Sequence, residues 1–271
     1  MTKKKYYGSL IHRIEILKKS LSRFEIHVPG YLNYSGQKYP FFVLYLSLNK
    51  KPFQGDKKNV CITAGIHGNE PAGVEALLTI IESRIFLDGY LKSCDFMVFP
   101  CVNPAGFECR QRENPDGVDL NRQFNYSSAP PEVTYIKELT IPVYFSLHLD
   151  LHEDVDAPGF YLYEKVQDGV KPFGEKIIDA VSEKYPINLQ EKVEGRTARN
   201  GVIGSEEQNR LSSFHEFTGS NSNWPMAFYF YSKGTSHVLT FETPVNLEIT
   251  ERIEIHRTAI STALDSLVQF E

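Results

Sequence analysis

Gly65-Ile66-His67-Gly68-Asn69-Glu70 is the stretch from which the fold of this chain can be predicted. An apolar run, residues 59–64, precedes it, and Pro71 opens a helix-like segment after it. This order predicts a strand, a glycine-containing turn and a helix start, with His67 and Glu70 three residues apart on the turn. An imidazole and a carboxylate are ligand types that Zn²⁺ takes together with a third protein ligand and water. The competing interpretation is an ordinary N-cap and first-turn acid, which the helix dipole also favours.

Length and composition favour an ordinary globular protein. The chain has 271 residues, of which 41% are hydrophobic and 23% are charged, so it can bury a sizeable core. A formal net charge of −5 indicates no general affinity for nucleic acid or for an anionic membrane. The sequence contains no CxxC pair, no signal-peptide apolar region and no membrane-length apolar run. We therefore expect reduced thiols and a cytoplasmic location.

Apolar periodicity predicts alternating strands and helices along the chain. Helices are predicted at residues 6–20, 71 to about 86, 131–139, 171–184 and 248–268, and strands at 23–28, 40–48, 59–64, 95–101, 143–152, 159–164 and 236–242. Residues 103–106 are predicted as a turn, and residues 186–222 have no assigned structure. The alternation predicts an α/β fold with a mixed, mostly parallel central sheet and helices on both faces. Because no linker divides the chain, residues 1–271 are predicted to form a single domain.

A third metal ligand is expected from the predicted strand 143–152, in which His148, Asp150 and His152 alternate with leucines. A period of two places these three polar side chains on one face of the sheet. Since ligands in open α/β sheets bind at the carboxyl ends of strands, His152 is the better candidate and His148 is expected deeper. Asp150 could orient a ligating imidazole. A buried polar cluster without a metal explains the strand pattern equally well.

Four short blocks carry these polar residues in a fixed order. They are His67-Gly68-Asn69-Glu70, Asp119-Leu120-Asn121-Arg122-Gln123-Phe124, Asp150-Leu151-His152 and Phe241-Glu242-Thr243-Pro244. In this order they resemble the zinc carboxypeptidase superfamily. The short segment between Glu70 and His152 is similar to the compact branch that contains succinylglutamate desuccinylases, aspartoacylases and murein-peptide amidases.

The resemblance implies a metal-activated water. His67, Glu70 and His152 would hold one Zn²⁺ per chain, and Glu242 would be the general base. Three protein ligands leave one coordination position for water, whose pKa the metal lowers. A carboxylate beside that water can take its proton and return it to the leaving amine. The alternative for Glu242 is a strand-end acid in solvent.

The resemblance also implies how the substrate is held. Asn121 and Arg122 would bind a free carboxylate of the substrate. An arginine upstream of them would polarise the scissile carbonyl; Arg112 fits this role best, and Arg110 is the second choice. Arginine binds carboxylates in bidentate fashion, which suits Arg122 to its role. The alternative for Arg122 is a surface ion pair with Asp119.

Two departures from the family pattern leave the substrate open. Residues 219–224 resemble the specificity-pocket segment, but the substrate-capping tyrosine expected just before them is missing. The nearest substitutes are His215, Phe214, Phe217, Tyr229 and Tyr231. The C-terminal β-domain of the aspartoacylases is also absent from the pattern, because a predicted helix follows soon after Glu242.

The function implied by the resemblance is a zinc-dependent, metallocarboxypeptidase-like hydrolase that cleaves an amide or peptide bond next to a free carboxylate. The alternatives are an N-acyl amino acid deacylase with the same site and, less favoured, a non-catalytic binding protein. The expected partner is a small peptide or N-acyl amino acid, without nucleic acid or membrane. Glu153, Asp154 and Asp156 follow His152 and predict a preference for substrates with a free amine or basic side chain.

Overall fold

The computed structural model describes residues 6–20, 24–83, 89–204 and 223–269. The strands are β1 (Phe24–His27), β2 (Tyr31–Tyr34), β3 (Gln37–Pro40), β4 (Val43–Leu46), β5 (Lys58–Ala64), β6 (Cys94–Phe99), β7 (Leu147–Asp154), β8 (Tyr161–Val166), β9 (Lys192–Val193), β10 (Arg196–Arg199), β11 (Val202–Ile203) and β12 (His237–Pro244). The helices are α1 (Tyr6–Ser20), α2 (Pro71–Glu82), α3 (Pro104–Cys109), α4 (Pro131–Thr140), α5 (Gly174–Ser182), α6 (Met226–Ser232) and α7 (Ile249–Gln269).

Ten of the strands form one mixed sheet, in the order β1-β4-β6-β5-β7-β12-β8-β11-β10-β9, while β2 and β3 form a separate hairpin. The neighbours β6, β5, β7 and β12 at the centre run parallel to one another. Antiparallel pairs lie towards both edges, between β4 and β6 on one side and between β12 and β8 on the other. The predicted α/β fold with a mixed sheet is confirmed, and its parallel pairing is concentrated at the centre.

Helices cover both faces of the central strands, as predicted. On one face α2 packs so closely on β7 that a Cβ at Gly73 would lie 2.7 Å from the Cβ of Leu151. On the other face the ring of Phe230 in α6 stacks on His148, with 3.7 Å between ring centroids. With both faces covered, β6 is buried along its whole length, which explains its continuous apolar sequence.

Three predicted elements differ from the structure. Residues 103–106 do not form a simple turn: Asn103 caps α3 by accepting a hydrogen bond from the Gly106 backbone N–H, and Pro104 is the first helical residue. The predicted strand 40–48 is divided, because β3 ends at Pro40 and β4 begins at Val43. Strands β9, β10 and β11 lie in the segment 186–222 that had no assignment, of which residues 205–222 lie outside the described residues.

The strand register brings three of the four sequence blocks to the same end of the sheet, at the carboxyl ends of β5, β7 and β12. Ala64 at the end of β5 pairs with Leu151 of β7, and His152 pairs with Glu242 of β12. The turn after β5 therefore lies beside the carboxyl ends of β7 and β12, which is where open α/β sheets bind ligands. Among the residues that the structure describes, none of the helices is both long and apolar enough to cross a membrane.

Candidate active site

The turn after β5 aims His67 and Glu70 at one point. Gly65 has a φ of 63°, and a Cβ there would lie 2.8 Å from a methyl of Val74, so the position requires glycine. Glu70 occupies the N-cap position of α2, but its side chain makes no capping hydrogen bond. The interpretation of Glu70 as an ordinary helix cap is therefore wrong. Its carboxylate instead faces two histidines.

His67, Glu70 and His152 converge on a small buried volume. One Glu70 oxygen lies 2.7 Å from His67 Nδ1, and the other lies 2.9 Å from His152 Nδ1. One ligand atom from each of the three residues lies within 4.8 Å of the others, and all three side chains are buried. Buried charged groups in proteins are paired or coordinate metals. Two imidazoles and one carboxylate are a donor set that zinc takes in catalytic sites, so these residues fit the metal.

The outward nitrogen of each imidazole faces a carboxylate. His67 Nε2 lies 3.2 Å from Asp119 Oδ1, and His152 Nε2 lies 3.1 Å from Asp150 Oδ2. A hydrogen-bonding contact such as that of His67 with Asp119 fixes the tautomer and the ring orientation of a metal-ligating histidine. His152 Nε2 lies near Asp150 without making a hydrogen bond among the described residues. Both Nδ1 atoms face the Glu70 carboxylate. The position of Asp150 was expected from the strand pattern, but the contact of Asp119 with His67 was not.

His148 lies outside this group, as the strand pattern predicts. Its Nε2 is 3.1 Å from Thr63 Oγ1, and its ring stacks on Phe230. Burial lowers the pKa of His148 to about 4, so this imidazole is neutral near pH 7. His148 therefore belongs to the packing beneath the site.

Burial and close charges oppose each other at the converging residues. Burial raises the pKa of Glu70, but His67 and His152 outweigh it and hold that pKa well below its usual range. Burial lowers the pKa of His152, but Asp150 and Glu70 outweigh it and raise that pKa well above its ordinary value. A cation among these atoms would displace the imidazole protons, because histidine ligates metals in its neutral form.

Arg112 lies at the rim of the converging group. Its Nη1 is 3.5 Å from a Glu70 oxygen, and its Nη2 is 3.1 Å from Asp119 Oδ2. The Arg112 side chain is 40% exposed and lines the cleft, so it can also meet a ligand there. Arg110 ends α3 with a φ of 56°, and its guanidinium lies 4.0 Å from the centroid of the Tyr6 ring. This geometry favours Arg112 over Arg110.

The loop that carries Arg112 is attached to the turn of His67. The Arg112 carbonyl accepts hydrogen bonds from the Gly68 N–H at 3.4 Å and from Asn103 Nδ2 at 3.3 Å. A Cβ at Gly68 would lie 2.0 Å from the carbonyl carbon of Gly106. The second glycine of the defining stretch thus allows α3 and the arginine loop to lie against the turn.

Asn121 and Arg122 form a short 3₁₀ turn that begins after Asp119. Asp119 Oδ1 accepts a hydrogen bond from the Asn121 N–H at 3.0 Å, and Asn121 Oδ1 accepts one from the Met226 N–H at 2.8 Å. The Asn121 side chain therefore links this turn to α6. Because Asp119 contacts His67 and Arg112, it is not simply the surface partner of Arg122.

Glu242 lies near the end of β12, directly opposite His152 in the strand register. It is half-buried and lines the same cleft as the converging residues. Burial raises the pKa of Glu242 well above its ordinary value, and the Glu70 and Asp154 carboxylates add to this effect, while His152 opposes it. The carboxylate is thus not a strand-end acid in open solvent.

The acids after His152 are arranged differently from the expectation. Glu153 is buried, accepts a hydrogen bond from the Ala72 N–H at 2.7 Å and pairs with Arg252. Asp154 accepts a hydrogen bond from the Tyr161 hydroxyl at 2.9 Å. The Glu153 carboxylate thus ties β7 to α2 and α7, while Asp154 lines the cleft. The preference for basic substrates stays a prediction.

One cleft of about 1100 Å³ joins these groups. All the residues that the sequence predicts to bind metal, bind substrate or act in catalysis line it, namely His67, Glu70, Arg112, Asn121, Arg122, His152 and Glu242. Of the substitutes for the capping tyrosine, Tyr231 lines the cleft, whereas the Tyr229 hydroxyl lies 2.9 Å from Thr140 Oγ1 in the packing. His215, Phe214 and Phe217 lie outside the described residues.

Comparison with known protein families agrees with this geometry. The model of the zinc carboxypeptidase family matches residues 32–254, which include all four sequence blocks. The chain belongs to the zinc carboxypeptidase family. Its placement near the succinylglutamate desuccinylases within the superfamily stays a prediction.

Individual relatives of this zinc carboxypeptidase family member cover it to different extents. Carboxypeptidase 2 of Trichophyton rubrum is 31% identical over 146 residues, which are 51% of this chain and 26% of the relative. The chain thus spans about a quarter of the length of that protein. A proposed metallopeptidase of Shewanella amazonensis SB2B is 23% identical, with a TM-score of 0.75 over 97% of this chain and 92% of the other. A metallo-carboxypeptidase of Burkholderia cenocepacia is 16% identical, with a TM-score of 0.66 over 97% and 69%. These two structures share its fold.

Proposed function

We propose that this chain is a zinc-dependent metallocarboxypeptidase that cleaves an amide or peptide bond next to a free carboxylate. The observation that carries the proposal is the convergence of two Nδ1 atoms on the Glu70 carboxylate, inside a cleft that also holds Arg112 and Glu242. His67, Glu70 and His152 would hold one zinc ion. Bound zinc supplies a Lewis acid and a water of lowered pKa.

Glu242 would act as the general base. Its register opposite His152 keeps its carboxylate within the same end of the cleft as the metal-binding residues. There it would accept a proton from the attacking water and deliver it to the leaving amine nitrogen. Its partial burial supports this role, since a carboxylate with a raised pKa is a stronger base.

Arg112 would hydrogen-bond to the scissile carbonyl oxygen and stabilise the negative charge that develops there. Its contacts with Glu70 and Asp119 support this role, because they hold the guanidinium at the rim of the metal-binding group. Asn121 and Arg122, which line the same cleft, would bind the free carboxylate of the substrate. Asp119 would act as a positioning residue, since it contacts both His67 and Arg112.

We further infer that residues 1–271 act as one catalytic domain in the cytoplasm. One continuous hydrophobic core connects helices and strands from both ends of the described chain. All four cysteines are free thiols, and three of them, Cys61, Cys94 and Cys101, are buried. Free thiols are usual in proteins of a reducing compartment.

The test is hydrolysis of a peptide with a free C-terminus and of the same peptide with an amidated C-terminus. We expect about one zinc per purified chain, turnover of the free peptide only, loss of turnover with a chelator and its recovery with zinc. The Glu242→Gln variant should retain zinc and lose about 10²-fold or more of kcat. Equal cleavage of the two peptides, or turnover without metal, would contradict the proposal. Cleavage of N-acyl amino acids alone would establish the deacylase alternative instead.

A further inference from the structure

The start of α2 carries a metal-binding residue at the position where a helix normally has its cap. Glu70 is the N-cap residue, and Pro71 and Ala72 are the first two helical residues. The first N–H groups of a helix have no partner within it, and the N-cap side chain usually accepts a hydrogen bond from the second or third of them. Glu70 makes no such bond, because its carboxylate faces His67 and His152. The cap of α2 must therefore come from elsewhere in the fold.

Glu153 of strand β7 supplies this cap. Its Oε1 atom accepts a hydrogen bond from the Ala72 N–H at 2.7 Å, while its own backbone N–H donates to Glu70 Oε2 at 3.2 Å. The same Glu70 oxygen lies 2.9 Å from His152 Nδ1. The two glutamates thus bind each other's segments. This exchange of hydrogen bonds joins the turn that carries Glu70 to the strand that carries His152.

Arg252 of α7 holds the Glu153 carboxylate in this place. The Arg252 guanidinium contacts Glu153 Oε2, which is the oxygen that does not meet Ala72. The Glu153 side chain is 1% exposed, and the Arg252 side chain is 13% exposed. A carboxylate buried to this extent is costly unless it is paired and hydrogen-bonded, and both of its oxygens have such partners here. The position of Glu153 is therefore fixed from two helices at once.

We infer that Glu153, held by Arg252, is a positioning residue for the metal site: it caps α2 and so leaves Glu70 free to bind zinc beside His152. The inference rests on the proposed function, in which Glu70 and His152 are two of the three zinc ligands. Without the Glu153 carboxylate the Ala72 N–H loses its acceptor. Glu70 already occupies the N-cap position, and its carboxylate would compete for that N–H at the expense of its contacts with the histidines.

The test is the dissociation constant for Zn²⁺, measured by competition with a zinc-binding dye at a temperature at which every variant is folded. Glu153→Ala should bind Zn²⁺ about 10- to 100-fold more weakly than the native protein. Glu153→Gln should lie between the two, because its amide oxygen can still accept from the Ala72 N–H but carries no charge to pair with Arg252. A loss of stability alone leaves this constant unchanged while the chain stays folded, so the measurement reports positioning.

Glu164→Ala is the matched control. Glu164 is also a buried glutamate on a strand; it accepts hydrogen bonds from the Phe173 and Gly174 N–H groups at the start of α5 and lies 2.8 Å from His237 Nε2. Its substitution removes the same kinds of contact away from the metal-binding residues. The free energy of unfolding should fall, while the dissociation constant for Zn²⁺ stays within about twofold of the native value.

The outcomes separate this inference from the proposed function. Native Zn²⁺ affinity in Glu153→Ala, or an equal loss of affinity in Glu153→Ala and Glu164→Ala, overturns the inference and leaves the proposed function intact. A native protein that binds no Zn²⁺ overturns both. If Glu153→Ala does not fold, Arg252→Met decides, because it leaves Glu153 in place without its ionic partner. Weaker Zn²⁺ binding in Arg252→Met than in Glu164→Ala supports the inference, and native affinity overturns it.

Discussion

At the scale of single residues, two histidines on one strand have different environments. His152 has both ring nitrogens next to carboxylates, from Glu70 and Asp150. His148, four positions earlier, is fully buried between Thr63 and the ring of Phe230. Alternation along β7 predicts their common face, and the direction of the strand predicts which one is nearer the ligand. His152 is therefore expected to bind metal, and His148 is expected to stabilise the fold.

The two histidines can be separated by substitution. We expect His152→Ala to lose bound zinc, because it removes one of three protein ligands. His148→Ala should keep about one zinc per chain and lower the free energy of unfolding by about 2–4 kcal/mol, because it leaves a cavity under Phe230. Metal analysis and urea unfolding of both variants check these outcomes. Full zinc in His152→Ala together with its loss in His148→Ala would reverse the assignment.

The sequence did not predict every contact at this scale. The blocks around His67 and Asp119 were each recognisable, but no local pattern predicts that the Asp119 carboxylate faces both His67 and Arg112. That contact depends on how a loop folds back over a turn 52 positions earlier in the chain.

At the scale of elements, a buried polar cluster connects the hairpin β2–β3 with α4 and the loop of Arg112. The Tyr34 hydroxyl donates to Glu132 Oε1 at 2.7 Å and accepts a hydrogen bond from Asn114 Nδ2 at 3.2 Å. Glu132 lies at the start of α4 and is fully buried. Among the described residues its second oxygen has no hydrogen-bond partner. Burial raises the pKa of Glu132 above its ordinary value.

The raised pKa predicts a pH dependence of stability. The folded state holds the Glu132 proton more tightly than the unfolded state, so the contribution to stability is complete below the ordinary pKa of 4.5 and is lost as the pH rises through the folded value. In Glu132→Gln this loss should disappear, because the amide does not ionise in this range. Urea unfolding of both proteins at several pH values above and below 4.5 measures the difference. If the free energy of unfolding varied with pH in the same way in the native protein and in the variant, ionisation of Glu132 would not affect stability and the prediction would be wrong.

Elements were predictable to the extent that local chemistry determines them. The apolar run that forms β6 and the proline that begins α2 are visible in the local sequence, and both elements were predicted. Asn103-Pro104 indicated a turn because these residues also occur in turns. They begin a helix here, because Asn103 caps the Gly106 N–H and Pro104 is the first helical residue. The short strands β9–β11 are two to four residues long, which is too short for a period to be visible.

At the scale of the whole molecule, the metal-binding residues join parts of the chain that are distant in sequence. His67 and Glu70 lie on the turn between β5 and α2, whereas His152 lies on β7. Strands β5 and β7 pair at the centre of the sheet, and the Glu70 carboxylate contacts His152 there. An ion held by all three would bind the folded chain and not the unfolded one. Such binding stabilises the folded state by mass action.

Zinc should therefore raise the melting temperature of the metal-free protein. Free zinc at about 100 times its dissociation constant is expected to add about 2.7 kcal/mol to the free energy of unfolding. His67→Ala should show little of this stabilisation, because two protein ligands hold zinc much less tightly than three. Thermal unfolding of both proteins at graded zinc concentrations measures the effect. An equal rise in the two proteins would mean that zinc stabilises the fold from another place, and the convergence of His67, Glu70 and His152 would then need a different explanation.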